Sequence, residues 1–264
     1  MAEPRLDISR PENMPGVLKL TFNHPESLNS LTTDIFRKII TTLRDARHDD
    51  TVKIVLFTGE GDRAFSSGLS IDKLLELKTD EDREAFYTLG LSAREAIYAL
   101  EKPVIAAVRG NCVGGGFEIA LCCDMIFAVE GSVFMLPESN IALTPGCGGA
   151  INLAAKIPYN RAIEMIWFAE KVPADEMHRW GIVNGIFAAD DFDAELEKRI
   201  LKLLRKPQST VRDLKRVLSH TAVFGAQAES LKHERMLAVD QMRTPDFAEG
   251  INAFKEKRRA EFNK

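Results

Sequence analysis

Cysteine is scarce in this chain, with four residues among 264, and none of them belongs to a CxxC pair. Cys122 and Cys123 are adjacent within an apolar run, which suits neither a disulfide framework nor a zinc knuckle. The five histidines lack HExxH or any other paired ligand spacing, so no metal site is predicted. We expect reduced, mostly buried thiols, and chemistry that other residue types carry out.

Long apolar runs and an excess of basic residues are also lacking. No stretch approaches the roughly 18 apolar residues that a membrane-spanning helix requires. The first residues contain no apolar core of a secretion signal, so a cytoplasmic protein is expected. With 35 Lys and Arg against 39 Asp and Glu, the net charge is −4, and neither a nucleic-acid nor a membrane partner is expected.

Three common site motifs are absent as well. The segment Gly110–Gly116 lacks the GK[ST] ending of a phosphate loop. Its glycine spacing does not fit the G-x-G-x-x-G of a dinucleotide site either. Ser66 and Ser67 do not stand in a G-x-S-x-G elbow, which argues against a serine nucleophile.

What is present is an alternation of strand and helix patterns, which predicts a mixed α/β fold. Apolar residues at helical spacing follow Leu31, with Ser30 as the expected N-cap. The predicted strands are Val17–Phe22, Val52–Thr58, Val104–Val108, Met125–Val129, Val133–Leu136 and Ile182–Phe187. We predict an α/β core over residues 1–190 and a C-terminal helical module over residues 191–264.

Three consecutive glycines, Gly114–Gly116, precede an apolar helical stretch. They leave the backbone N–H groups at the start of the helix uncovered, at the positive end of the helix dipole. An oxyanion of a polarised carbonyl group would bind there, provided that a second loop supplies another N–H donor. The segment Phe65–Asp72, which contains Gly68 and follows a strand, is the candidate for that loop.

Two glutamates accompany these glycines. Glu118 follows them by about one helical turn, and Glu138 follows the end of a short strand. Two carboxyl groups near a polarised carbonyl suit general acid and base catalysis if burial moves a pKa toward neutrality.

Taken together, these stretches resemble the crotonase superfamily, also called the enoyl-CoA hydratase/isomerase family. The similarity runs through "NHPESLNSL", "AFSSGLSIDKL", "GNCVGGGFEIALCCDMIFA", "FMLPESNIALTPGCGG" and "EGINAFKEKRRAEF". It implies an α/β fold built as a spiral of ββα units, with a C-terminal helical region that mediates trimerisation. It also implies an acyl-CoA thioester as substrate, no separate cofactor, and a homotrimer or homohexamer.

The resemblance also assigns individual residues. The N–H groups of Leu69 and Gly115 would hold the thioester oxygen, Glu118 would activate water, and Glu138 would exchange the proton at Cα. Residues Gly68, Leu69, Ser70, Ile71, Asp72 and Gly114 would line the CoA and acyl site. Ala64 and Ser66 would offer backbone contacts to adenine, and Phe254 and Lys255 would complete the CoA pocket.

The expected reaction is the reversible syn addition of water to a 2-enoyl-CoA. Isomerases of this family commonly lack one of the two acids, so the presence of both favours hydration. A carnitinyl-CoA dehydratase-like activity and an enoyl-CoA isomerase activity stay open, because one fold hosts several reactions. A non-catalytic acyl-CoA-binding or RNA-binding scaffold is the alternative from another class.

Overall fold

The computed structural model describes residues 3–219 and 227–262. Residues 220–226 and 263–264 of the predicted C-terminal module lie outside them. The strands of the described chain are β1 (Arg5–Ser9), β2 (Val17–Asn23), β3 (Ile54–Gly59), β4 (Ala64–Ser66), β5 (Val104–Val108), β6 (Asn111–Val113), β7 (Met125–Val129), β8 (Val133–Met135), β9 (Val172–Pro173) and β10 (Gly185–Phe187). Its α-helices are α1 (Thr33–His48), α2 (Ile71–Glu76), α3 (Asp80–Ala99), α4 (Gly115–Cys122), α5 (Gly149–Lys156), α6 (Tyr159–Phe168), α7 (Ala174–Arg179), α8 (Phe192–Leu204), α9 (Gln208–Ser219), α10 (Gln227–Gln241) and α11 (Pro245–Glu256).

The larger sheet has six strands in the order β1-β2-β3-β5-β7-β10. Only the β1–β2 pair is antiparallel, and the other neighbours run parallel. Both of its faces are covered: Val55 and Phe57 of β3 belong to the main core, whereas Leu56 packs in a second cluster with Phe192 and Leu196 of α8. Covering on both faces is what allows a mostly parallel sheet of continuous apolar strands.

The smaller sheet has four short strands in the order β4-β6-β8-β9. Strands β4, β6 and β8 run parallel, and β9 is antiparallel to β8. This sheet matters for the site, because the loops that follow its three parallel strands leave from one edge.

Most predicted elements are confirmed, and two kinds of error appear. The strand predicted at Val104–Val108 is β5, but β1, β4, β6 and β9 were not predicted as strands. The N-cap prediction at Ser30 is wrong. Thr32 caps α1, because its side chain accepts a hydrogen bond from Ile35 N, whereas Ser30 is buried and its hydroxyl pairs with that of Ser27.

The last two helices pack on the same core as the sheets. Ala238 of α10 and Phe247 and Ile251 of α11 are buried in the main cluster. Helix α11 also approaches a 3₁₀ turn at Glu138–Ile141 so closely that a Cβ on Gly250 would lie 2.6 Å from Ile141 Cα. A unit boundary at residue 190 therefore stays a prediction, while both helices support segments near the site.

Candidate active site

The carboxyl ends of three parallel strands place the predicted residues at one edge of the smaller sheet. Strand β4 leads to the loop with Leu69, and β6 leads to Gly115 at the start of α4. Strand β8 leads to the turn that begins with Glu138. Parallel neighbours end side by side, so this topology brings together segments that are far apart in the sequence.

The main-chain amides of Leu69 and Gly115 lie close together. A Cβ atom built on Gly115 would be 3.8 Å from Leu69 N. Among the described residues, neither amide donates a hydrogen bond to another protein group. Gly115 is the first residue of α4, so its N–H belongs to the unsatisfied donors of the helix terminus. Two available donors in such proximity are the arrangement that an oxyanion site requires, and the assignment of these two residues to one stays a prediction.

Gly68 allows the two donor segments to approach each other. It has a φ of +81°, and a Cβ on it would lie 2.8 Å from Val113 O and 2.9 Å from Gly115 N. Both the left-handed backbone and the contact distance require glycine at this position. Gly114, with a φ of +51°, has a similar backbone requirement on the other side.

Glu118 is 6% exposed and lies in the first turn of α4. Its Oε1 accepts hydrogen bonds from Cys147 N at 3.0 Å and Gly149 N at 2.9 Å. Burial raises the pKa of Glu118, and the two amides oppose that rise because they stabilise the ionised form. Its Oε2 lies 3.9 Å from the Cβ position of Gly115, next to the paired amides. One oxygen is therefore anchored and the other is directed to the site.

Glu138 approaches the neighbouring glycine. Its Oε1 lies 3.2 Å from the Cβ position of Gly114, and its Oε2 is shielded from solvent without a hydrogen-bond partner among the described residues. Burial, followed by the negative charges of Glu118 and Glu234, raises the pKa of Glu138 well above its ordinary value. Only its own main-chain amide opposes this rise, so Glu138 holds a proton more firmly than Glu118, which has two amide donors. The two acids are thus suited to different roles.

Both acids line a cavity of about 580 Å³. Leu69 and Gly115 line it as well, so the two amides and the two acids share one space. Its apolar wall includes Phe36, Leu74, Phe86, Tyr87, Ile141 and Leu143. A largely apolar cavity with a few convergent polar groups is typical of a small-molecule site.

Most of the predicted substrate-binding residues lie at this cavity. Leu69, Ser70, Ile71, Asp72, Gly114 and Phe254 line it. Gly68 lies beside it, since its Cβ position is 3.3 Å from Gly114 Cα. Lys255 is not part of the wall, but its ammonium group lies 3.7 Å from the Asp72 carboxylate. Helix α11 thus brings Phe254 to the cavity within the same chain.

Ala64 and Ser66 do not line the cavity. Both are buried behind it, the Ala64 carbonyl accepts a hydrogen bond from Asn29 Nδ2 at 2.7 Å, and Ser66 Oγ accepts one from Gly68 N at 3.1 Å. These bonds give them a role in supporting the loop that carries Leu69. Their backbone contacts with adenine stay a prediction.

A third buried carboxylate, Glu234 of α10, was not predicted. It is 4% exposed and accepts hydrogen bonds from main-chain amides at the start of α5. The only sequence signal is that Glu234 stands four residues before the apolar Ala238, on the helix face that is buried. An acidic residue at such a position does not by itself indicate which group it contacts.

The described residues contain no group of three or more side chains suited to a metal ion. All four cysteines are free thiols. Across the same ranges, no helix combines the length and the apolar character needed to cross a bilayer.

Comparison with known proteins identifies the family of this chain. Residues 12–264 match the family model described as enoyl-CoA hydratase/isomerase. The chain belongs to the enoyl-CoA hydratase/isomerase family. The predicted family membership is confirmed.

Two curated members of this family are similar over most of their length. A crotonyl-CoA hydratase of Syntrophomonas wolfei subsp. wolfei is 34% identical over 247 residues, covering 92% of this chain and 93% of that protein. A short-chain-enoyl-CoA hydratase of Clostridium acetobutylicum is 31% identical over 248 residues, with 93% of each chain covered.

Solved structures of the family confirm the fold. The crystal structure of an enoyl-CoA hydratase from Mycobacterium avium subsp. paratuberculosis K-10 has a TM-score of 0.87 at 33% identity, with 98% of each chain covered. A carnitinyl-CoA hydratase from Mycobacterium avium has a TM-score of 0.86 at 25% identity, again with 98% of each chain covered. The α/β fold is therefore of the crotonase type.

Proposed function

We propose that the protein catalyses the reversible syn addition of water to a 2-enoyl-CoA thioester. The observation that carries this proposal is the placement of two acids beside the paired amides. Glu118 Oε2 and Glu138 Oε1 approach the Cβ positions of the consecutive residues Gly115 and Gly114, at 3.9 Å and 3.2 Å. Family membership and the hydratases among its relatives support the assignment.

In this mechanism the thioester oxygen accepts hydrogen bonds from Leu69 N and Gly115 N. Negative charge grows on that oxygen as the thioester acquires enolate character, and the two dipoles stabilise it without moving. Loss of one such donor typically costs about 3 kcal/mol of transition-state stabilisation. The apolar cavity strengthens the effect, because it keeps water away from the developing charge.

The two carboxyl groups divide the proton transfers. Glu118 removes a proton from water while the water oxygen forms a bond to Cβ, and Glu138 delivers its proton to Cα. The carbon–carbon π bond is lost, and one C–O and one C–H bond form in its place. Glu118 ends protonated and Glu138 ionised, so dehydration runs through the same groups in reversed roles.

The proposal assigns CoA to the substrate and needs no further cofactor, since the two amides and two acids supply every step. A second candidate is water elimination from a carnitinyl-type thioester, which the resemblance to the carnitinyl-CoA hydratase structure favours. Both reactions use the same acid pair, so the acyl group distinguishes them. Isomerisation needs one base only, and a non-catalytic scaffold would need neither acid.

The deciding experiment follows the ultraviolet absorbance of crotonyl-CoA and of a carnitinyl-type enoyl-CoA in water labelled with oxygen-18. Hydration removes the enone absorbance and places the labelled oxygen in the hydroxyl group on Cβ. Double-bond movement without label would establish isomerisation instead, and binding without turnover of any ester would establish a scaffold. The Glu138→Gln variant, which cannot donate the carboxyl proton, should lose at least about 100-fold in kcat; full activity in this variant rejects the mechanism.

The proposal includes assembly into a homotrimer or homohexamer in the cytoplasm. Large apolar side chains are exposed on α6 and α9, namely Tyr159, Trp167, Phe168, Leu214, Val217 and Leu218. Exposed apolar surface of this kind is typical of contacts between chains. The free thiols agree with a reducing compartment. Light scattering coupled to size exclusion tests the assembly, and a monomer would reject that part.

A further inference from the structure

The segment 147–151 at the start of α5 divides its amides between two buried carboxylates. Glu118 binds the first and third amides, and Glu234 binds the second, fourth and fifth. The donor–acceptor distances to Glu234 are 2.7 Å from Gly148 N, 3.1 Å from Ala150 N and 3.3 Å from Ile151 N. The amides bound to Glu118 alternate along the chain with those bound to Glu234. A movement of the amides bound to Glu234 therefore also displaces the amides bound to Glu118.

Helix α10 holds this part of the chain at two points. Besides Glu234, it contributes Gln241, whose Oε1 accepts a hydrogen bond from Thr144 N at 2.6 Å. Gly149 and Glu118 are packed so closely that the segment has little room to move, since a Cβ on Gly149 would lie 2.8 Å from Glu118 Oε1. The position of the segment, and with it the orientation of Glu118, therefore depends on Glu234, which lies more than 80 positions later in the chain.

We propose that Glu234 is a positioning residue for the catalytic carboxyl group of Glu118. It does not contact the substrate. By fixing the amides on either side of Gly149, it directs the Gly149 and Cys147 N–H groups at Glu118 Oε1 and so leaves Oε2 directed to the reacting water. The inference rests on the proposed hydration for the role of Glu118, whereas the link from Glu234 to the donors of Glu118 is a property of the fold.

When it is ionised, Glu234 also contributes negative charge to the site. The ionisable groups that face it are Arg94, Glu118, Glu138, Cys147 and Tyr87. Burial, followed by the charge of Glu118, raises the pKa of Glu234 to about 8, against the opposing effect of its amide donors and of Arg94. Ionised Glu234 in turn raises the pKa of Glu138. Removal of this charge therefore lowers the pKa of the proposed proton donor.

The test compares Glu234→Gln with a control on the same helix, Asp240→Asn, whose carboxylate is 56% exposed and pairs with Arg243. Glutamine keeps the volume, but its amide nitrogen cannot accept the hydrogen bond from Gly148. For crotonyl-CoA we expect kcat to fall about 10- to 100-fold with KM within about twofold, because the base is displaced and the cavity is kept. The alkaline limb of kcat/KM should move to lower pH. The control should behave as wild type in both respects.

A second measurement separates this inference from the proposed function. Amide hydrogen exchange over residues 147–151 should be faster in Glu234→Gln at all five positions, including the two amides that bind Glu118. This result is expected even if the wild type hydrates no enoyl-CoA, an outcome that would reject only the proposed function. The inference is overturned if the amides of Cys147 and Gly149 exchange in Glu234→Gln at the wild-type rate. It is also overturned if the wild type is active and the variant has the same kcat.

If Glu234→Gln does not fold, a pH titration of the wild-type protein tests the proposal instead. Its amide chemical shifts are followed by NMR between pH 6 and 10. The amides of Gly148, Ala150 and Ile151 should report the titration of Glu234, and those of Cys147 and Gly149 should share its midpoint. A flat response at Cys147 and Gly149 around that midpoint overturns the proposal.

Discussion

Gly149 and Glu118 are in contact at a spacing that leaves no room for a methyl group. The Gly149 N–H donates a hydrogen bond to Glu118 Oε1 at 2.9 Å, and a Cβ on Gly149 would lie 2.8 Å from the same oxygen. One glycine thus both orients the acid by its amide and permits the approach by its missing side chain.

The Gly149→Ala variant should displace Glu118 and lower kcat by at least about tenfold, because small displacements of a catalytic group are costly. Steady-state kinetics with crotonyl-CoA measures the effect. The control is the same change in a Glu118→Gln background. There Gly149→Ala should lower kcat little further, because both substitutions act through the carboxyl group of Glu118. Equal effects in the two backgrounds would show that Gly149 acts independently of Glu118.

The Gly68→Ala variant should separate the two amide donors. The added methyl group would meet Val113 O at 2.8 Å and Gly115 N at 2.9 Å. We expect kcat/KM to fall about 100- to 1000-fold, the cost of losing one oxyanion donor. Gly61→Ala is the matched control, because Gly61 has a similar φ of +73° but no atom near its Cβ position. If both variants lose equal activity, backbone strain rather than donor spacing is responsible.

Stability should fall as pH rises because of Glu234. Its pKa is about 8 in the native protein and has the ordinary value of 4.5 in the unfolded chain. Between these values the native state holds a proton that the unfolded chain has released, so the free energy of unfolding decreases across this window and levels off above about pH 8.

The Glu234→Gln variant lacks this titration. Urea unfolding between pH 4.5 and 8 should therefore show a shallower decrease than in wild type, by on the order of a few kcal/mol over the window. Asp240→Asn should keep the wild-type slope. Parallel curves for wild type and Glu234→Gln would mean that Glu234 titrates normally in the folded protein.

The apolar wall of the cavity should limit acyl length. Phe86 lines it and contacts Phe36 and Tyr87, with ring centroids 6.1 Å and 5.2 Å apart. Phe86→Leu enlarges the space, and we expect the ratio of kcat/KM for an eight-carbon over a four-carbon enoyl-CoA to rise about tenfold. Phe192→Leu, a core change behind the larger sheet, should lower stability without changing this ratio. An unchanged ratio in Phe86→Leu would place the acyl chain elsewhere.

Much of the fold was predictable because its signals are local. Continuous apolar runs identify β5 and β7 as buried strands, and glycines before an apolar stretch identify the start of α4. Strands β4 and β6 escaped prediction because each has only three residues and one of them is polar, whereas the equally short β8 is wholly apolar. The N-cap error has a similar cause: Ser30 and Thr32 are both good capping residues, and only the packing of the preceding turn selects Thr32.

The site was predictable where chemistry accompanies a motif and unpredictable where contact alone defines the role. Glu118 and Glu138 stand next to glycines or a strand end, so their positions suggest acid–base chemistry. Glu234 stands in a helix with many other charged residues, and its importance comes from amides more than 80 positions away. Ala64 and Ser66 illustrate the opposite case, since a motif named them and the fold buries both behind the cavity.

The sequence by itself determined which groups are available: glycines that uncover amides, two acids at defined distances from them, and apolar segments that must pair and become buried. Tertiary structure alone decided that three short parallel strands end side by side, so that Leu69, Gly115 and Glu138 share one cavity. It also decided that α10 returns to hold the donors of Glu118. Local propensity acts over a few residues, whereas strand pairing and burial act between segments at any separation in the sequence. The pKa of each acid follows from its burial and so from the tertiary structure.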